Sequence, residues 1–98
     1  MMTQAIAQAR ICNKKGLHAR AAAKLVKTAS SFDAQVRVAR LPNPSGANST
    51  AGATSILSLL MLAAEMGVEL ELSAQGRQAE EAVDALVALI HRKFDEDE

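Results

Sequence analysis

Apolar and polar positions alternate along this chain at two periods, and the changes of period divide it into seven short elements. Near the start, Ala5, Ala7, Ala9 and Ile11 alternate with Ile6, Gln8, Arg10 and Cys12, the period-two pattern of a strand. Ala22, Leu25, Val26 and Ala29 then fall at i, i+3, i+4 and i+7, which predicts an amphipathic helix over about residues 19–30. Val36 and Val38 alternate with Arg37 and Ala39 and predict a second strand. Residues 41–53, LPNPSGANSTAGA, hold two prolines and two glycines and read largely as turn. Part of 48–53 is expected to pair with 34–40 as a hairpin. A short helix follows, capped by Thr54 or Ser55 and terminated before Gly67. Val68, Leu70, Leu72 and Ala74 alternate with Glu69, Glu71 and Ser73, a clear strand. Last, Ala79, Ala82, Val83, Leu86, Leu89, Ile90 and Phe94 form one helical stripe. Glu80, Glu81 and Asp84 lie towards its start and His91, Arg92 and Lys93 at its end, matching the helix dipole.

The order β-α-β-β-α-β-α predicts an α+β domain, a small antiparallel sheet covered on one face by three helices. At 98 residues the chain is one domain, residues 1–98. Formal charge is zero, but unevenly distributed. Residues 1–40 carry eight bases and one acid, whereas residues 41–98 carry three bases and ten acids, so a +7 half precedes a −7 half. Two phenylalanines are the only aromatics, which argues against base stacking and a nucleic-acid partner. The longest apolar stretch, Ile56 to Ala64, is broken by Ser58 and falls far short of the ~20 residues that span a bilayer. One cysteine and no secretory signal pattern point to a cytoplasmic protein without membrane contact.

Candidate chemistry gathers at Gly16-Leu17-His18-Ala19-Arg20. A basic loop, Asn13-Lys14-Lys15-Gly16, leads into the first helix with His18 at the boundary. Backbone amides of a first helical turn lack intrahelical partners and favour an anion. The amides of Ala19, Arg20 and Ala21 therefore form a candidate phosphate cradle, and the Arg20 guanidinium can clamp two phosphate oxygens. The positive helix end and Arg20 favour the neutral, nucleophilic imidazole of His18. Nucleophile, cradle and clamp within three residues suit a reversible phosphoryl carrier. A lone histidine at a helix start more often serves only as a solvated cap.

Gly16-Leu17-His18-Ala19-Arg20, with Lys24-Leu25-Val26-Lys27 after it, resembles the active-site motif of HPr, the histidine phosphocarrier family of the bacterial phosphoenolpyruvate phosphotransferase system. The resemblance continues through Thr54–Leu62, Gly67 with its alternating strand, and Gly76 before the last helix, so it covers nearly the whole chain. It implies an open-faced β-sandwich, a four-stranded antiparallel sheet under three helices. It also implies that His18 accepts a phosphoryl group on Nδ1 from phosphorylated enzyme I and passes it to enzyme IIA, with Arg20 as the clamp. Participation would be stoichiometric, without independent turnover and without a cofactor. Two departures stand out. Ala21 occupies a position where many family members have proline, and the 41–53 segment is several residues longer than the usual hairpin.

Ser55 matches a serine that a kinase/phosphorylase modifies in some HPr proteins; it also suits a simple helix cap. Ile56, Leu57, Leu59, Leu60, Met61 and Leu62 are too continuous for one buried stripe, so some face outward as a partner site. By resemblance, Ile56, Leu57 and Leu60 dock enzyme I and IIA. Lys24 and Lys27 on the first helix are expected to steer acidic partners, in a salt-sensitive manner. The alternative is a regulatory binding module that docks targets through residues 55–62, with phosphorylation only as a signal. Cys12, His18 and His91 make no metal-ligand spacing, and no metal is expected. Asn48-Ser49-Thr50 is a glycosylation sequon by pattern only.

Overall fold

The computed structural model describes residues 3–41 and 50–98. Four strands and three helices follow in the expected order: β1 (Thr3–Arg10), α1 (Ala19–Ser30), β2 (Gln35–Leu41), β3 (Thr50–Gly52), α2 (Ile56–Leu60), β4 (Glu69–Gly76) and α3 (Ala79–His91). A 3₁₀ turn, Lys93–Asp95, ends the folded chain. The sheet runs β1-β4-β2-β3 and every pairing is antiparallel. This is the helix-covered antiparallel sheet that the element order predicts and the open-faced sandwich that the resemblance implies.

Side-chain alternation decides which face is covered. In β1, Ala9 is buried and Ala5 and Ala7 pack against the core, whereas Ile6 points out from the uncovered face at 68% exposure. In β4, Leu70, Leu72 and Ala74 face the helices. Small alanines on β1 leave room for α3, which contributes Ala82, Val83, Leu86, Leu89 and Ile90 to one continuous core. The opposing α1 adds Ala21, Ala22, Leu25 and Ala29. Gly76 holds φ +139°, and a Cβ there would lie 2.8 Å from Ala34 Cα and from Asp33 O. Only glycine lets β4 leave the sheet that close to the α1–β2 connection.

Three details differ from the sequence expectation. The middle helix is a single short helix ending at Leu60, not one continuing towards Gly67. Ala63 turns the chain at φ +51°, and the Arg40 guanidinium takes the Leu62 and Ala63 carbonyls at 3.0 and 2.8 Å. Those bonds satisfy carbonyls that a longer helix would have paired internally. Gly67 instead turns the chain into β4, donating its N–H to Ile11 O at 2.7 Å. Finally, Phe94 is fully buried as its place in the stripe predicts, but outside α3. Lys93, Phe94 and Asp95 all hold positive φ, between +53° and +64°, and this turn drops the ring into the core. Most of the 41–53 segment, including Asn48 and Ser49 of the sequon, lies outside the described residues, while β3 pairs with β2 as the hairpin requires. Among the described residues no helix is long and apolar enough to cross a membrane.

Candidate functional site

The start of α1 is fixed by a glycine and a backbone clasp. Gly16 holds φ +69°, and a Cβ there would lie 2.6 Å from Ala64 O and 2.9 Å from Glu65 Cα. Leu17 donates its N–H to Ala64 O at 2.8 Å and buries its side chain. The loop is thus pressed against the segment after α2, and the next residue, His18, emerges as the N-cap of α1. Its backbone is extended (φ −79°, ψ −179°), and its carbonyl accepts the first helical bond, from Ala22 at 2.8 Å.

The His18 imidazole folds back over the helix end, where Nδ1 accepts from the Arg20 amide at 3.3 Å. Its side chain keeps about a quarter of its surface exposed. Of the three expected cradle amides, those of Ala19 and Arg20 belong to exposed residues, and Ala21 is fully buried beneath them. The Arg20 side chain is exposed and makes no ion pair among the described residues. Lys14, Lys15, His18, Arg20 and Lys24 line one cleft. The structure therefore brings the His18 imidazole, the Arg20 guanidinium and three lysines to one cleft at the start of α1, where the helix dipole favours negative charge.

Two contributors escaped the sequence reading. The first is the chain after α3: Asp95, Glu96, Asp97 and Glu98 line the same cleft. Glu96 Oε2 contacts His18 Nε2. The Lys24 ammonium donates to Phe94 O at 2.6 Å and lies 3.9 Å from Asp95 Oδ2. Lys14 bonds the Glu98 carbonyl through its amide, and its ammonium lies 3.9 Å from the Glu98 carboxylate. The second is Asn13, the one buried polar residue among those described. Its Nδ2 donates to Gly16 O at 2.8 Å and to Glu96 Oε1 at 3.0 Å. The surroundings of His18 are therefore mixed: a backbone amide on Nδ1 and a carboxylate on Nε2, in a cleft lined by both cations and carboxylates.

Partial burial alone would raise the Glu96 carboxyl. The bonds from Asn13 and His18, with the charge of Lys15 and that of the His18 ring whenever it is protonated, outweigh it and hold the group below its ordinary value of 4.5. A carboxyl lowered in the folded state stabilises the docked tail fully above its unfolded value and stops doing so as pH falls through the lower folded one. The Asn13 side-chain amide signal, followed by NMR from about pH 6 to about pH 2, should therefore keep its docked position below 4.5 and move only at lower pH. In Glu96→Gln that step should vanish.

The remaining candidates lie around α2. Ser55 is its N-cap, and its hydroxyl accepts from Ser58 N at 3.1 Å. Ile56 and Leu57 are exposed, with Met61 beside them, while Leu60 is half-buried against the core. Lys27 is exposed one turn beyond Lys24. Cys12 is half-buried and donates its thiol to Ile90 O at 3.3 Å.

Known proteins resemble this chain in both sequence and fold. The family model described as "PTS HPr component phosphorylation site" matches residues 6–92. The phosphocarrier protein NPr of Shewanella violacea is 45% identical over 95 residues, covering 97% of this chain and 98% of that protein. The phosphocarrier protein HPr of Pseudomonas aeruginosa is 49% identical over 88 residues, covering 90% and 92%. Among solved structures, HPr-C-His from Thermoanaerobacter tengcongensis superposes with a TM-score of 0.82 at 40% identity, over 96% of this chain and 99% of that one. Matched along nearly its whole length in both sequence and fold, the chain belongs to the HPr family, the phosphocarriers of the phosphotransferase system.

Proposed function

We propose that this phosphocarrier takes a phosphoryl group from phosphorylated enzyme I onto Nδ1 of His18 and delivers it to an enzyme IIA. The observation that carries the reading is the position of Nδ1, which accepts from the Arg20 amide at the start of α1, in a cleft that Arg20 also lines. A phosphoryl group there meets the Ala19 and Arg20 amides and a guanidinium with no competing carboxylate partner among the described residues. The nitrogen lone pair forms the N–P bond, and the donor leaves with the electrons of the bond it loses. Reversal onto IIA repeats the exchange in the other direction.

Exposed Ile56, Leu57 and Met61 supply an apolar patch of the kind that docks partners. Ser55 phosphorylation by a kinase would break the Oγ cap at the edge of that patch and add charge beside it. The test is transfer from labelled phosphoenolpyruvate through enzyme I to this chain and then to IIA. Label that reaches the chain and chases onto IIA supports the reading; label that stops on enzyme I contradicts it. Leu57→Glu should slow transfer from enzyme I about tenfold, the loss of one good interface contact, while leaving labelling by the small donor phosphoramidate unchanged.

Ala21 offers a milder perturbation. Proline is tolerated in a first helical turn because the N–H it lacks has no intrahelical partner there. Ala21→Pro should change the phosphohistidine lifetime by no more than about fivefold, the worth of one hydrogen bond, as read by loss of label over time. Complete loss of phosphorylation in a folded Ala21→Pro protein would contradict the assignment of the cradle.

A further inference from the structure

Glu96 stands on the nitrogen of His18 that the phosphoryl group does not use. We infer that Glu96 is a positioning residue that holds the His18 imidazole as its Nε2–H tautomer, so that Nδ1 is presented as the nucleophile. The inference deepens the phosphocarrier reading and rests on it.

Two contacts fix the proton. Nδ1 faces the Arg20 N–H at 3.3 Å, so it must offer a lone pair. Nε2 faces Glu96 Oε2, and a carboxylate only accepts, so Nε2 must carry the hydrogen. Both contacts are met by one tautomer and by no other; the Nδ1–H form would set N–H against N–H and lone pair against carboxylate. Glu96 is itself held: Oε1 takes the Asn13 side-chain amide at 3.0 Å, and Asn13 is fully buried and tied to Gly16 O. Gly16 is in turn pressed against Ala64. The chain of supports runs from a glycine with no room for a side chain, through a buried amide, to the carboxylate and the ring. Phe94, buried in the core, and Lys24 on its carbonyl hold the tail in register so that Glu96 arrives at Nε2.

The arrangement also suits the charge that appears during transfer. As Nδ1 bonds phosphorus and the donor's bond to phosphorus breaks, Nε2 keeps its proton and the ring becomes cationic. Glu96 faces that cation, in the manner of a carboxylate orienting a catalytic histidine. The other charges on the cleft are Lys14 and Lys15 from the loop, Arg20 and Lys24 from α1, and Asp95, Asp97 and Glu98 from the tail. None of the three tail carboxylates is within ion-pair distance of the ring, which singles out Glu96.

The test is long-range ¹H–¹⁵N NMR of the His18 ring in the unphosphorylated full chain, for wild type, Glu96→Gln and Glu96→Ala. Labelling with phosphoramidate follows, since it needs no protein docking. Wild type should show one tautomer, with Nδ1 unprotonated, and phosphorylation on Nδ1. Glu96→Ala should show a tautomer mixture and a labelling rate three- to tenfold lower, with Glu96→Gln between them and all three proteins folded. An unchanged tautomer in Glu96→Ala overturns the inference. So does faster labelling in Glu96→Ala, which would make the tail a shield over His18. The ring spectra read the tautomer whether or not His18 accepts phosphate. Absence of label on all three proteins would therefore strike the phosphocarrier reading, while the tautomer spectra alone decide the role of Glu96.

Discussion

Replacing His18 by alanine is expected to leave a folded protein that takes up no acid-labile phosphate from enzyme I. The loss should be complete, because the other histidine, His91, stands exposed at the end of α3 and outside the cleft that collects the cations. Folding should change little. The side chain is partly exposed and makes one cap bond, at 3.3 Å, beside its contact with Glu96; losing a cap costs about 1 kcal/mol and a solvent-accessible ion pair about 0–1 kcal/mol. Urea denaturation should then show a modest shift in midpoint beside a total loss of labelling, which separates a lost nucleophile from a lost fold. Equal, acid-stable labelling of both proteins would place the phosphate on a hydroxyl instead.

Phe94→Ala should be the most destabilising substitution near the site. The ring is fully buried, and removing a buried phenylalanine costs about 3–5 kcal/mol, a large part of the ~5–15 kcal/mol that holds a domain together. Thermal unfolding should fall by roughly 15–25 °C for a chain of this size. A local consequence follows. Three consecutive non-glycine residues at positive φ are each unfavourable by about 1–2 kcal/mol, and the Phe94 anchor holds them there together with Lys24. Without the ring the turn should relax and lift Glu96 from His18. Below its melting temperature, Phe94→Ala should therefore share the ring spectrum of Glu96→Ala, although Phe94 makes no bond to the imidazole.

How much of this was legible in the sequence depends on whether the deciding contact is local. The boundaries of α1 were readable because the apolar spacing of Ala22, Leu25, Val26 and Ala29 and the His18 boundary all sit within a dozen residues. The extent of α2 was not. The run Ile56–Leu62 has no polar interruption except Ser58, and the group that takes its last carbonyls, Arg40, lies 22 and 23 residues away. Phe94 was placed correctly in the core but on the wrong backbone, since spacing reports burial and not the sign of φ. The contact of Glu96 with His18 is more remote still, across 78 residues. Topology creates it: β4 runs antiparallel to β1, away from the site, and α3 returns along β1, ending where Cys12 meets Ile90 O. Along the sequence, the acidic end is a counterweight to a basic half. In the fold, its last four residues lie on the basic cleft itself, and Lys24, expected to steer a partner, spends its ammonium on the tail.

Whether phosphate travels on Nδ1 of His18 is read from a ¹⁵N–³¹P correlation spectrum of the chain phosphorylated through enzyme I. One phosphorus bonded to Nδ1 of His18, with Nε2 still protonated, is the expected result. Phosphorus bonded to Nε2 or to His91, or found only as an ester on Ser55, would contradict it.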